Sequence, residues 1–168
     1  RLLRSRRNAR RRERERLLKM AEGIASMGDV RIDVQEDSLL WWGQLFRIHG
    51  VSDDFDPELE KGIDFYYEED RPMVTEAVEK ALNEGEDFEF TARIVRPNGE
   101  LRHVATIGHA ESSPTGEVVT VFGVFKDITE TVLTDERLRQ SRDAAEDAAT
   151  AMTHLLANMS HDIRTPSS

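Results

Sequence analysis

The stretch that decides the fold runs from Asp87 to Glu130 and reads DFEFTARIVRPNGELRHVATIGHAESSPTGEVVTVFGVFKDITE. Phe88, Phe90, Ala92 and Ile94 alternate with Asp87, Glu89, Thr91 and Arg93, so an extended chain here has one apolar side and one polar side. Pro97-Asn98-Gly99 is a hairpin signal, and Leu101–Ala110 reads as the returning strand, with its inward parity left open by the residues. Pro114-Thr115-Gly116 makes the next turn. Val118–Phe125 is then apolar on both sides, the pattern of a central strand covered on each face. One cover would be short helices; the other would be an entry helix or a second copy of the chain.

Working upstream, Glu68–Asn83 reads as a helix with Met73, Val74, Ala77, Val78 and Ala81 on its apolar face and Gly85 as its stop. Pro57–Gly62 and Gln44–Ile48 read as shorter helical pieces, the second closed by Gly50. Val30, Ile32 and Val34 alternate with Arg31, Asp33 and Gln35 as a half-buried strand, and a short strand over Ser38–Trp42 follows the turn at Glu36-Asp37. Strand, strand, several short helices and three long strands make an α+β domain over 28–128, one antiparallel sheet with helices on one face.

Two helices flank it. Residues 1–27 read as a basic N-terminal helix whose end, Leu17, Met20, Ile24 and Met27, steps like a coiled-coil seam. Residues 1–20 carry a net charge of +8, leaving −18 on the remainder of a chain whose total is −10. That acidic body argues against nucleic-acid binding by the domain. The basic head fits a solvated helix with Arg/Glu pairs, a juxtamembrane segment of a membrane-tethered parent, or a nucleic-acid contact for which no recognition motif is present. The chain has no cysteine, which removes disulfides and thiolate metal sites and fits a reducing cytoplasm. No apolar run approaches the ~20 residues of a membrane span. Beginning on Arg1 and ending after Pro166-Ser167-Ser168, the chain is expected to be a piece of a longer protein.

Several residues here resemble the PAS family and its C-terminal PAC half. They are Arg96-Pro97-Asn98-Gly99-Glu100-Leu101-Arg102, Gly116-Glu117, Gly123 and the ending Asp127-Ile128-Thr129-Glu130. Trp42, Leu45-Phe46-Arg47-Ile48-His49-Gly50 and Glu69-Asp70-Arg71 resemble its short-helix region. The resemblance implies a five-stranded antiparallel sheet around a small cavity, usually a sensor and often a homodimer. Asp127, Ile128 and Thr129 would relay movement of the last strand into the exit helix, where Asp127 is also suited to cap the helix start. Haem-binding relatives use a His on the long helix, which has none here, and flavin-adduct relatives need a Cys. His49, His103 and His109 read as solvated or hydrogen-bonded histidines. No cofactor or metal is therefore expected in this chain; a small organic ligand in the cavity, or no ligand at all, remains.

From Thr129 to Thr165 there is neither Gly nor Pro, and Leu138, Ser141, Ala145, Ala148, Met152, Leu155 and Met159 keep a heptad register. This predicts a parallel coiled coil over 129–168 with a weak, Ser/Ala-lined middle. Near its end Met152, Leu156, Met159 and Ile163 form the stripe, and His161 lies about 200° around the helix from it. The run His154 to Pro166 closely resembles the H-box of histidine protein kinases. By that resemblance His161 is the phospho-acceptor, Asp162 orients and deprotonates it, and Thr165 positions water for phosphate removal. A response regulator would dock here. ATP and Mg belong to a separate catalytic domain, so this chain alone should be inactive. The expected function is that of a sensing and transmitting piece of a sensor histidine kinase. The alternative is a PAS dimerisation module driving a cyclase or a transcription regulator.

Overall fold

The alternation along 88–95 and the turn at Pro97-Asn98-Gly99 produce a hairpin, because Gly99 takes the positive φ (86°) that closes the turn. A computed structural model describes residues 2–164, and the side chains of all of these except Leu2, Leu18, Lys19, 21–25 and Arg164. The strands are β1 (Met27–Asp33), β2 (Ser38–Gly43), β3 (Phe88–Val95), β4 (Leu101–Ser112) and β5 (Val118–Asp127), all antiparallel in the order β2-β1-β5-β4-β3. The helices are α1 (Leu2–Ala25), α2 (Leu45–His49), α3 (Leu59–Asp64), α4 (Arg71–Glu84) and α5 (Thr129–Arg164), with a 3-10 turn at Glu68–Asp70 before α4. The five-stranded α+β expectation holds. Among the described residues, those up to Thr129 form one unit and those from Glu130 another.

The core lies between the short helices and one face of the sheet. Ile48 of α2, Tyr66, Val74 of α4, Ala92 and Ile94 of β3 and Val104 of β4 pack together, with Val78, Phe90 and Phe125 against them. Burial of these side chains contributes roughly 1.5–3 kcal/mol each for the larger ones. The register settles the parity of β4. Val104, Thr106 and Gly108 face inward opposite Ala92, Phe90 and Phe88, while Leu101 and Ile107 face out. Gly108 is required by close approach, since a Cβ there would enter the Phe88 ring.

Three local expectations need correction. The entry helix stops at Ala25, Ser26 turns with φ 50°, and Met27 opens β1, so Met27 belongs to the sheet and not to a helical seam. The side chain of Ile24 lies outside those described. The long helix begins at Arg71 rather than Glu68, and Met73 is on its exposed side. Val34 lies beyond the end of β1 and is exposed. As expected, β5 is central; its inner face is covered by the short helices, and on its outer face Phe122 and Val124 are 37% and 39% exposed within the chain. With Leu40, Trp42 and Ile107 they leave an apolar outer sheet face open to solvent.

Candidate functional site

Three places carry the predicted chemistry, and the first is the junction between β5 and α5. Asp127 ends the sheet with its backbone N–H donating to the Ser26 carbonyl (3.0 Å). One carboxylate oxygen accepts the Thr129 N–H (3.0 Å) and hydroxyl (2.6 Å). The other accepts two bonds from Arg102, at 2.9 Å from Nε and 2.6 Å from Nη2. The Thr129 hydroxyl in turn accepts the His103 N–H (2.9 Å), and the Ile128 N–H donates to the His103 carbonyl (2.9 Å). Burial by itself would raise the Asp127 carboxyl, yet the bonds from Thr129 and Arg102 outweigh it and hold it below the usual carboxylate range. Asp127, Ile128 and Thr129 are thus brought together with β4. Both charges are satisfied, and the cluster ties β4 and β5 to Thr129, the first residue of α5.

A second arginine–carboxylate clamp holds the start of α4. Asp70 accepts the Arg93 backbone N–H (2.8 Å) and both Nε (2.9 Å) and Nη2 (2.7 Å), and the Arg93 guanidinium lies over the Tyr67 ring. The Arg93 bonds hold the Asp70 carboxyl below its ordinary value against the opposing effect of burial. Arg96 donates to the Ile48 (3.0 Å) and Arg47 (3.2 Å) carbonyls at the end of α2, where Gly50 turns with φ 70°. Together these arginines on β3 and its hairpin tie the short helices to the sheet.

The interior holds the second place, a cavity of about 70 Å³ between the sheet and α2–α4. Valines, Ile32, Leu39, Trp41 and phenylalanines line it, and His49, Tyr66 and Thr106 are its polar groups. His49 is 2% exposed, stacks on Trp41 at 4.4 Å and meets the edge of Phe65 at 5.0 Å. Its Nδ1 lies 2.8 Å from the Leu45 carbonyl, which accepts only, so the proton sits on Nδ1 and Nε2 is an acceptor. Burial pushes the imidazole down to about 4; the bond to Leu45 opposes this and the Arg96 charge adds to it. Burial likewise raises the Tyr66 phenol. Thr106 is 1% exposed, with the Tyr66 phenol beside its hydroxyl.

On α5, the third place, His161 and Asp162 are both exposed on unbroken helix. Met152, Leu155, Leu156, Met159 and Ile163 are each more than half exposed. Thr165 and Pro166 lie outside the described residues. His103 is partly buried in β4, and His109 pairs with Asp87 at 2.9 Å on the surface.

The comparisons agree with this geometry. A family model described as the PAS fold matches residues 38–125, just over half of the chain. The chain belongs to the PAS fold family. The virulence sensor protein BvgS of Bordetella pertussis is 39% identical over 79 residues, which is 46% of this chain and 6% of BvgS. The chain therefore spans only a small part of the curated relatives it matches. Among solved structures, a sensory box histidine kinase/response regulator from Burkholderia thailandensis superposes with a TM-score of 0.60 at 21% identity, over 77% of this chain and 98% of that one. The N-terminal domain of a diguanylate cyclase with PAS/PAC sensor from Marinobacter aquaeolei gives 0.57 at 20%, over 62% and 97%. These likenesses are likenesses of fold. The PAS domain here resembles those of sensor kinases and of a cyclase, and no helix among the described residues is long and apolar enough to cross a membrane.

Sequence reasoning missed several residues. Arg102 was noted only as part of a hairpin pattern, though a charged residue in the inward register of a strand signals a buried partner. His49 and Thr106 gave less warning. Only the register of β4 puts a hydroxyl among apolar neighbours, and only the packing of α2 buries an imidazole.

Proposed function

We propose that this chain is the sensing and transmitting part of a two-component sensor histidine kinase, with His161 as phospho-acceptor. The observation that carries the reading is the run from His154 to Pro166, its His161 exposed on a helix that begins at the Asp127–Thr129 junction. In this reading the PAS domain responds to a ligand in its cavity. The response passes from β4 and β5 through Arg102, Asp127 and Thr129 to α5. A second copy covers the Leu138–Met159 seam, and the helix pair presents His161 to ATP held by a separate catalytic domain. The attacking imidazole nitrogen must be unprotonated, Asp162 orients and deprotonates the ring, and Thr165 positions water when phosphate is removed from the partner. A response regulator then receives the phosphoryl group beside His161. In the same reading the domain works in the cytoplasm, and a membrane tether in the parent is compatible with it.

A reading with a different output also has support, since the same fold precedes a cyclase in the Marinobacter aquaeolei structure. Phosphotransfer separates the two. A version of the chain extended through a complete helical hairpin, mixed with an isolated kinase catalytic domain and ATP, is expected to take acid-labile phosphate. His161→Ala is expected to abolish it; label that survives this substitution sinks the kinase reading.

A further inference from the structure

The sensor and phosphotransfer readings give the basic helix α1 no task. Residues 3–17 are all exposed, as is Met20, so this stretch buries no face within the chain. It holds eight arginines and two glutamates, a net charge of +6. A helix solvated by internal Arg/Glu pairs would neutralise itself, yet among the described residues α1 makes one ion pair, Arg11 to Glu15 at 2.9 Å. A second α1 is a poor cover. In the register that aligns Leu3, Leu17 and Met20, Arg6 and Arg10 fall in the seam, where a parallel partner would bring like charges together.

The arginines are not spread evenly around α1. At ~100° per residue, Arg6, Arg10 and Arg14 form one row and Arg4, Arg7 and Arg11 the next, all within an arc of roughly 160°. Leu3 and Leu17 lie inside that arc, whereas Arg12 and Arg16 lie on the opposite side. Glu13 and Glu15 sit about 20° beyond its two edges. A flat anionic surface meets such an arc and leaves both carboxylates off it. A nucleic-acid groove would wrap further round the helix and set Glu13 and Glu15 against its phosphate walls. The two leucines favour the same choice, because the acyl boundary of a lipid leaflet rewards burial of apolar side chains and a phosphate backbone does not. The charge of −18 beyond residue 20 acts on this strip only weakly. At ~1.5 Å per residue Arg10 stands about 22 Å along the axis from Ala25, more than two Debye lengths at physiological salt.

We propose that the arginine arc of α1 is a binding face for an anionic phospholipid surface. The helix lies along the leaflet, the guanidinium groups pair with lipid phosphates, and Leu3 and Leu17 enter the acyl boundary. Each basic residue near such a surface strengthens binding roughly fivefold, and the effect fades within a Debye length. The inference does not rest on the kinase reading, and phosphate at His161 bears on none of the outcomes below.

The test is co-sedimentation of the full chain with vesicles of phosphatidylcholine alone and of phosphatidylcholine with about a third phosphatidylglycerol. Binding is expected to the mixed vesicles only, and is expected to weaken as salt rises from about 0.05 M to about 0.15 M. Two matched variants locate the face. Arg10→Gln with Arg14→Gln, and Arg12→Gln with Arg16→Gln, remove the same charge at the same spacing from opposite sides of α1. The first pair is expected to weaken vesicle binding about twentyfold, and the second less than about threefold. Leu17→Ser is expected to weaken it about tenfold through lost apolar burial. Thermal melting of the domain is expected to be unchanged in all three, because these side chains are exposed. No binding of the folded chain to the mixed vesicles would overturn the proposal, as would equal weakening by the two double variants. A short DNA or RNA duplex bound more tightly than the vesicles at about 0.15 M salt would overturn it too, and would assign α1 to nucleic acid.

Discussion

In the PAS domain the apolar side chains of the inner sheet face pack against the short helices, and in α5 the apolar side chains face water. Leu45, Val74, Ile94, Val104 and Val121 are almost fully buried, whereas Leu138, Met152, Leu155, Met159 and Ile163 are each more than half exposed. Both regions follow a clean apolar period, two along the strands and three to four along the helix. The difference lies in whether a covering surface is available within the chain. A sheet with helices on one face completes its own core, while a single helix with an apolar stripe leaves that stripe waiting for a second surface. The domain is thus stabilised by its own packing, whereas the apolar stripe of α5 is exposed.

The sharpest way to break this contrast is to empty the core. Ile94→Ala, at a fully buried position, is expected to cost about 2–5 kcal/mol in urea denaturation. A loss below about 1 kcal/mol would mean that the domain does not depend on this packing as described. Next comes pH. The folded His49 titrates at about 4 against an ordinary 6.5, so between these values the unfolded chain binds more protons than the folded one. The stabilising contribution is complete above pH 6.5 and is lost as pH falls toward 4, about 3 kcal/mol in all at ~1.4 kcal/mol per unit. Replacing His49 by Phe should flatten that part of the stability profile; an unchanged slope would place the acid sensitivity elsewhere. The smallest effect on the domain is expected from Leu155→Ser. Its melting should move by less than about 0.5 kcal/mol, as for other exposed sites, while sedimentation should show weaker self-association. A domain destabilised as strongly as by Ile94→Ala would show that α5 is part of the core after all.

How much was legible beforehand varied with the kind of information. The hairpin at Pro97-Asn98-Gly99, the inward residues Ala92 and Ile94 and the exit at Asp127 all follow from local rules of period, turn chemistry and capping. The start of α4 did not. Glu68-Glu69-Asp70 favours a helix start by composition, but Asp70 is held by Arg93 of a distant strand, and the helix proper begins after it. Met27 was misread because a strand's opening residue happened to keep the spacing of the preceding helix. The outer face of β5 was expected to be covered because both of its sides are apolar, and sequence alone cannot say whether the cover lies in the same chain.

By itself the sequence determined the order of the elements, the antiparallel pairing forced by short turns, and the placement of His161 opposite the apolar stripe of its helix. Each is a matter of spacing between near neighbours. Only the tertiary structure decided that Arg102 and His103 share one knot with Asp127 and Thr129, that His49 lies buried and neutral among aromatic rings, and that Thr106 lines the cavity beside Tyr66. These depend on strand register and helix packing, where residues 20 to 80 positions apart come into contact, and no local pattern encodes such distances.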